Sequence, residues 1–166
     1  ARLYDKQGTV VDVFRTTFGF RTIAWDANTI YWNGKPFYCQ GFGMHEEADI
    51  RGRAFDPVMM TKDLNLLEWT NANCYRTSHY PYAEERIYEN DRRGIAVILE
   101  TPAVGLKDRN HPSVFMWSMA NEPQTYRNES RAYFKKVIDY ARSINIPDLP
   151  ITTVYGPSQS YNDHTV

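Results

Sequence analysis

Short apolar runs alternate with longer amphipathic stretches along this chain, and that alternation constrains its fold more than any other sequence feature. Predicted strands, most of them apolar or β-branched, recur at five places, 37–43, 74–78, 95–99, 114–119 and 151–155. Such runs are typical of strands that are buried on both faces. Apolar residues take helical spacing in three stretches, 57–69, 83–93 and 131–144. The order therefore predicts an α/β fold in which helices cover a parallel sheet.

Local signals set the limits of several elements. Pro57 lies in the first turn of one predicted helix, and Gly94 is placed to end another. Asn33-Gly34 separates two short apolar segments, which predicts a hairpin with a type I′ turn. The β-branched and aromatic stretch 9–23 predicts one or two further strands.

Polar residues collect just after the predicted strands: His45-Glu46, His79-Tyr80, Glu100 and Asn121-Glu122. In a (β/α)8 barrel this edge carries the catalytic residues, contributed by several strands to one mouth. A dinucleotide-binding sheet would need a glycine-rich first turn, and the run beginning at Gly41 lacks the third glycine. These positions favour a barrel over a dinucleotide-binding fold.

Composition excludes several classes of protein. The 166 residues carry 19 Lys+Arg against 20 Asp+Glu, so a net charge of −1 gives no electrostatic case for binding nucleic acid or an anionic membrane. No run reaches the roughly 18 apolar residues of a membrane span. The only two cysteines, Cys39 and Cys74, are predicted to be buried free thiols. No signal peptide is evident, and the sequon at Asn128 leaves the compartment open.

A zinc site is not expected at His45-Glu46, because Asp49 replaces the second histidine of His-Glu-x-x-His. Two interpretations of this segment remain open. Either His45, Glu46, Asp49 and Arg51 form a hydrogen-bonded loop that shapes the mouth, or they contact a substrate directly.

Glu122 is the strongest catalytic candidate. It closes the apolar strand 114–119 within Asn-Glu-Pro, where a low-dielectric wall would raise the pKa of a carboxyl group and suit it to general-acid work. The alternative is a glutamate that starts a helix beside Pro123. Asn121 could donate to a sugar hydroxyl or tie down the loop.

Four runs of sequence, 33–38, 45–52, 75–85 and 110–123, closely resemble the β-glucuronidases of glycoside hydrolase family 2. The resemblance extends over roughly residues 14 to 155. Arg-Thr-Ser-His-Tyr-Pro and Asn-Glu-Pro mark the wider family, which includes β-galactosidases and β-mannosidases. His-Glu-x-Ala-Asp-x-Arg-Gly and Tyr-Ala-Glu-Glu favour the glucuronidases.

The resemblance implies a retaining hydrolase of terminal β-D-glucuronides or glucuronic-acid-containing glycans. It implies two β-sandwich domains followed by a (β/α)8 barrel, so that residues 1–22 would be the last sandwich strands and 23–166 the N-terminal portion of the barrel. Glu122 would be the acid/base, Asn121 would contact the sugar and His79 would line the pocket for the sugar. No cofactor or metal is implied. The resemblance also favours a homotetramer. Such a protein would be lysosomal or secreted in a eukaryote and cytoplasmic in a bacterium.

The chain also departs from the family. Retention needs a second carboxylate as nucleophile, which the family places on the seventh strand, whereas this chain stops near the fifth. The Asn-Lys-Lys-Gly segment that recognises the uronate is missing as well. Leu99 replaces an aspartate, which leaves the role of Glu100 open. The short crossover before strand 114–119 predicts a missing segment between Leu106 and Lys107.

The sequence leaves two other functions open. The chain could be an inactive barrel fragment or isoform that acts by binding a partner, or its substrate could be a galactoside or mannoside. Among the aromatic residues, Trp69 and Trp117 are predicted to pack in the core rather than stack on sugars. His111 is predicted to fix the turn into the fourth strand.

Overall fold

A computed structural model describes residues 1–100, 108–124, 127–143 and 149–154. Their strands are β1 (Arg2–Tyr4), β2 (Val10–Val13), β3 (Ile23–Trp25), β4 (Ile30–Trp32), β5 (Lys35–Phe37), β6 (Gly41–Met44), β7 (Glu47–Ala48), β8 (Gly52–Arg53), β9 (Cys74–Thr77), β10 (Ala96–Glu100), β11 (Val114–Asn121) and β12 (Ile151–Val154). Their helices are α1 (Pro57–Trp69), α2 (Glu84–Arg93) and α3 (Asn128–Ser143). The Leu106–Lys107 junction lies outside the described residues, and the segment predicted to be missing there stays a prediction.

Five strands form a parallel sheet in the order β12-β11-β10-β9-β6, which confirms the predicted α/β alternation. One face of the sheet packs against α1 and α2 through buried apolar residues: Leu64, Leu67, Tyr75, Ile87, Val97, Leu99 and Trp117. Parallel strands joined by helices bring all strand ends of one kind to one edge. The polar residues that follow these strands are therefore gathered on that edge.

The hairpin predicted at Asn33-Gly34 is confirmed. Asn33 and Gly34 have φ values of +49° and +75°, as a type I′ turn requires, and β4 pairs with β5 across them. Trp32 and Phe37 pack on Phe115, with ring centroids 5.7 and 5.3 Å away. The β3–β4–β5 sheet thus covers the end of the parallel sheet that lies opposite the polar edge.

The first barrel-type strand was predicted to begin too early. Phe37 belongs to β5, where it pairs with Ile30, and the parallel strand β6 begins only at Gly41. At the other end of the sheet, β10 extends to Glu100 and β11 to Asn121. Both polar residues therefore lie in the last positions of strands rather than in the loops that follow.

The helix limits follow from capping. The Asp56 carboxylate accepts hydrogen bonds from the Val58 and Met59 amides at 2.9 and 3.1 Å, ahead of Pro57 at the first helical position. The Met59 amide is the main reason that the pKa of Asp56 is held below its ordinary value. Gly94 ends α2 with φ +71°, as predicted.

The two cysteines form a disulfide, so the prediction of free thiols was wrong. Cys39 and Cys74 are bonded with their Cα atoms 5.3 Å apart, within the usual range for such bonds. The error has a physical reason, since the two residues are 35 positions apart and only the pairing of β6 with β9 brings them together.

We therefore expect Cys39 and Cys74 to resist alkylation in denaturant until a reductant is added. Peptide mapping of unreduced protein should recover one linked pair of peptides that contain these residues, and mapping after reduction should recover two alkylated peptides. Alkylation of both residues before reduction would contradict the bond.

Two glycines of β6 are required by close packing rather than by a nucleotide-binding turn. A Cβ at Gly41 would overlap the backbone carbonyl of Cys74, whereas a Cβ at Gly43 would meet the Ser78 hydroxyl at 2.5 Å. A backbone carbonyl cannot move aside, but a serine hydroxyl can rotate. Gly41 thus sets how closely β6 approaches β9.

Gly41→Ala is expected to lower the free energy of unfolding by about 3 kcal/mol, and Gly43→Ala by about 1 kcal/mol. Chemical denaturation of the full-length protein measures both, and Gly43→Ala is the matched control. Equal effects would show that the close approach at Cys74 does not distinguish the two positions.

The two tryptophans that were predicted to pack in the core differ in burial. Trp117 is buried as predicted, but Trp69 is 82% exposed, so its predicted place in the core was wrong. Leu67 is the buried residue at that end of α1, and Trp69 lies two positions later, on the opposite side of the helix.

His111 does fix the turn before β11, because its ring nitrogen contacts the Asp91 carboxylate at 2.6 Å and its carbonyl accepts from Val114.

The residues before β3 form a separate antiparallel hairpin of β1 and β2. Their assignment to a preceding sandwich domain, and the domain boundary at residue 22, stay predictions. Among the described helices, none is both long enough and apolar enough to cross a bilayer.

Candidate active site

Arg76 lies at the centre of the polar edge of the sheet and joins three side chains there. Its Nε donates to Glu100 Oε2 at 2.5 Å, and its Nη2 donates to Asn121 Oδ1 at 2.8 Å. The same Nη2 lies 3.1 Å from His79 Nδ1. We refer to Arg76, His79, Glu100 and Asn121 as the Arg76 cluster; its members come from β9, β10, β11 and the loop after β9.

Glu100 is the most enclosed member of the cluster, with 2% of its surface exposed. Its backbone amide donates to Thr77 Oγ1 at 2.8 Å, which ties β10 to β9 at this level. The neighbouring residue Leu99 points the other way and packs in the apolar layer beneath the helices. The alternation of a strand therefore gives Leu99 a packing role and leaves Glu100 for the polar edge.

The cluster determines which atoms of Asn121 and His79 are free. A guanidinium group has donors only, so the Asn121 oxygen and the His79 Nδ1 must both accept from Arg76. Asn121 is then left with its amide hydrogens and His79 with the hydrogen on Nε2. Both residues present donors to any further partner.

Glu122 directly follows the cluster. Its backbone amide donates to the Val154 carbonyl at 2.7 Å, and its φ of +46° turns the chain sharply at the end of β11. The side chain is exposed rather than enclosed by the apolar strand, in contrast to the wall expected from the sequence. The structure thus brings His79 and Asn121 together through Arg76 and places Glu122 next to Asn121 in the chain.

The segment after β6 divides between the two interpretations drawn from the sequence. Glu46 Oε2 accepts from the Ala83 amide at 3.0 Å, at the start of α2, and Arg51 pairs with Asp56 at the start of α1. Those contacts fit a loop that shapes the mouth. His45 instead lies 5.3 Å from the His79 ring, centroid to centroid, and so borders the cluster.

Tyr80 and Arg53 extend this border. The Tyr80 hydroxyl accepts from the Glu46 amide at 2.9 Å, and the Arg53 guanidinium lies 4.1 Å above the Tyr80 ring. Sequence reasoning did not single out Arg53, and it quoted Arg76 only as part of a motif. The signal that could have found Arg76 is a cation inside a strand whose neighbouring residues are buried.

A buried layer beneath the mouth holds β6 and β9 in place. The Tyr82 hydroxyl donates to the Met44 carbonyl and, at 3.2 Å, to the Ser78 carbonyl. The Tyr75 hydroxyl accepts from Asn90 at 2.7 Å. Burial raises the pKa of Tyr75 to about 12 and also raises that of Tyr82, so both hydroxyls stay protonated at ordinary pH.

No group of three or more metal-binding side chains occurs in the part of the chain that the structure describes. The mouth offers a carboxylate at Glu122 beside two hydrogen-bond donors, at Asn121 and His79. This arrangement can protonate a leaving oxygen while binding neighbouring hydroxyl groups.

A family model for the TIM barrel domain of family 2 glycosyl hydrolases matches this chain over residues 23–107 and 105–157. The two matched ranges overlap at residues 105–107, which include the junction where the sequence predicts a missing segment.

Curated relatives match most of the chain. A β-glucuronidase of Paenibacillus borealis is 41% identical over an alignment of 187 positions, which covers 93% of this chain and 31% of that protein. The β-glucuronidase of Homo sapiens is 43% identical over an alignment of 170 positions, which covers 89% of this chain and 26% of that protein. The chain thus spans between a quarter and a third of the length of these relatives.

Solved structures agree with the sequence matches. The β-D-glucuronidase of Dictyoglomus thermophilum superposes with a TM-score of 0.82 at 41% identity, over 93% of this chain and 32% of that one. A β-glucuronidase of Ruminococcus gnavus, solved in complex with D-glucuronic acid, gives a TM-score of 0.82 at 38% identity, over 93% of this chain and 30% of that one.

Proposed function

Because this chain belongs to the glycosyl hydrolases of family 2 and forms part of their TIM barrel domain, we propose that the protein containing it hydrolyses terminal β-D-glucuronides with retention of configuration. The relatives named as β-glucuronidases, at 41 and 43% identity, support this substrate class. The Arg76 cluster beside Glu122 supports the proposal from the structure, because Glu122 can donate a proton and the cluster supplies two hydrogen-bond donors at the same edge of the sheet.

Glu122 is the acid/base in this proposal. It donates its proton to the glycosidic oxygen as the bond between that oxygen and the anomeric carbon breaks. A second carboxylate, contributed by a part of the protein outside this chain, attacks the anomeric carbon and forms a glycosyl ester. Glu122 then takes a proton from the water that hydrolyses the ester, which restores the starting state.

Retention sets a geometric demand on the rest of the protein. The two carboxyl groups of a retaining enzyme lie about 5 to 5.5 Å apart, which leaves no room for a water molecule between the second carboxylate and the anomeric carbon, so that carboxylate attacks directly. The nucleophile must therefore reach the same mouth from a later strand of the barrel.

The Arg76 cluster binds the sugar. Asn121 and His79 each present a hydrogen-bond donor, which suits the hydroxyl oxygens of the glycone. Residues beyond the described chain would recognise the uronate carboxylate, and the protein would assemble as a homotetramer. No metal or cofactor takes part in this mechanism, since two carboxylates suffice for the reaction.

The test compares 4-nitrophenyl β-D-glucuronide, β-D-galactoside and β-D-mannoside as substrates of the full-length protein. We expect glucuronide hydrolysis to be at least about 100-fold faster than hydrolysis of the other two. A site that pairs the uronate carboxylate discriminates strongly against sugars that lack this group. A preference for galactoside or mannoside would move the protein elsewhere in the family. Proton NMR of the first-formed sugar should show the β anomer, and a first-formed α anomer would exclude retention.

A further inference from the structure

We infer that Glu100 is a positioning residue, which holds Arg76 so that Asn121 and His79 face the sugar as hydrogen-bond donors. This inference rests on the proposed function and deepens it. The sequence alone assigned no role to the Glu100 carboxylate. Glu100 acts through Arg76, which contacts Asn121 and His79, and does not itself touch the substrate.

The burial of Glu100 is the first step. A carboxylate with 2% of its surface exposed is costly to keep in a protein unless it is paired with a cation. The Arg76 guanidinium supplies that cation, and 17% of the Arg76 side chain is exposed. A buried ion pair is a poor device for stability alone, since an apolar pair of similar volume often packs as well or better. The presence of this ion pair at the mouth of the sheet points to a role in orienting Arg76.

The geometry of the guanidinium is the second step. Arg76 uses Nε toward Glu100 and Nη2 toward Asn121 and His79, so one planar group spans all three partners. A planar fork held at one nitrogen has its other nitrogens fixed in direction. Glu100, at 2.5 Å, therefore fixes the plane in which Nη2 meets Asn121 and His79.

The consequence for Asn121 is the third step. An amide side chain can turn over and exchange its oxygen and nitrogen, which are nearly equal in size. The bond of 2.8 Å from Arg76 to Asn121 Oδ1 favours one of these two orientations. If the guanidinium loses its anchor, Asn121 can present its oxygen instead, and the donor to the sugar is lost.

The experiment measures Glu100→Gln in the full-length protein with two substrates, 4-nitrophenyl β-D-glucuronide and its 2-deoxy analogue. In this proposal the Asn121 amide donates to the 2-hydroxyl, because hydrogen bonds to that hydroxyl strengthen in the transition state of glycoside hydrolysis, and the 2-deoxy analogue lacks the acceptor for this donor. We expect kcat/KM for the parent substrate to fall about 10- to 100-fold, the range for one charge-assisted hydrogen bond. The loss on the 2-deoxy substrate should be about tenfold smaller.

Two variants serve as controls. Asn121→Ala should show the same selective loss, because it removes the donor itself. Glu89→Gln removes another carboxylate paired with arginine, on the outer helix α2, and should leave both substrates unchanged. The bonds from Arg92 and Arg93 hold the pKa of Glu89 at about 2, so Glu89→Gln also removes the negative charge of a carboxylate that is paired with arginine.

The outcomes separate the two claims. A wild-type protein that does not cleave the glucuronide overturns the proposed function, and this inference with it. An active wild type whose Glu100→Gln variant loses less than about twofold, or loses equally on both substrates, overturns the inference alone.

If Glu100→Gln does not fold, Arg76→Lys decides the matter. A lysine keeps a positive charge beside Glu100 but has no second nitrogen to reach Asn121 and His79 in a fixed plane. The same selective loss on the parent substrate supports the inference, and an equal loss on both substrates overturns it.

Discussion

Glu122→Gln in the full-length protein is expected to lower kcat/KM for alkyl β-glucuronides by about 10³-fold, within the range for loss of a general acid. For 4-nitrophenyl β-glucuronide, kcat/KM should fall about tenfold or less. The reason is the leaving group, because nitrophenolate departs without a proton whereas an alkoxide does not. Steady-state kinetics with both substrates measures the difference.

The second chemical step gives an independent readout of Glu122. Without its base, the glycosyl ester should accumulate, and added azide should speed turnover of the nitrophenyl substrate, because azide attacks without losing a proton. Glu68→Gln, on the outer helix α1, is the matched control and should leave the kinetics unchanged. Wild-type turnover of both substrates by Glu122→Gln would remove Glu122 from the acid/base role.

The 166-residue chain expressed alone is expected to hydrolyse no β-glucuronide and to form no compact monomer. Among the described residues its parallel sheet ends at β6 and β12, and open edges of a sheet pair with other chains. Large apolar side chains are also exposed on the described surface, with Phe20 at 85%, Ile50 at 98% and Trp69 at 82%. A surface of this kind marks a contact site or a risk of aggregation.

Size-exclusion chromatography and thermal melts followed by circular dichroism test this expectation. We expect elution as large species and no cooperative transition. A monomer with a cooperative melt would contradict the structural part, and glucuronide hydrolysis by the chain alone would contradict the need for a second carboxylate from outside it. A longer chain that supplies the later strands is the control, and it should both fold and turn over.

The sequence predicted the parallel sheet well because the signals involved are local. The run 95–99 is apolar throughout and the run 114–119 is apolar except for Ser118. The helices between strands show their own spacing, so each element can be recognised without its neighbours. Asn33-Gly34 and Gly94 likewise mark turns by their own backbone preferences. The predicted limits of a strand were less accurate where they depend on the neighbouring strand. Phe37, for example, pairs with Ile30 in β4 and does not belong to β6.

The candidate site was predicted in part. Glu122, Asn121 and His79 could be selected because polar residues at the ends of parallel strands meet at one edge, whatever the details of the packing. Which of them touch could not be predicted. Arg76 lies inside β9, and its contacts run to residues 24 and 45 positions away in the sequence, so only the sheet order shows that it joins them.

The sequence by itself thus determined the succession of strands and helices and the edge at which the polar residues collect, because both follow from periodicity and chain direction. Only the tertiary structure decided that Cys39 bonds to Cys74, that Trp69 faces outward and that Glu100 anchors Arg76. Each of these depends on which faces of distant segments meet, and no local pattern records that.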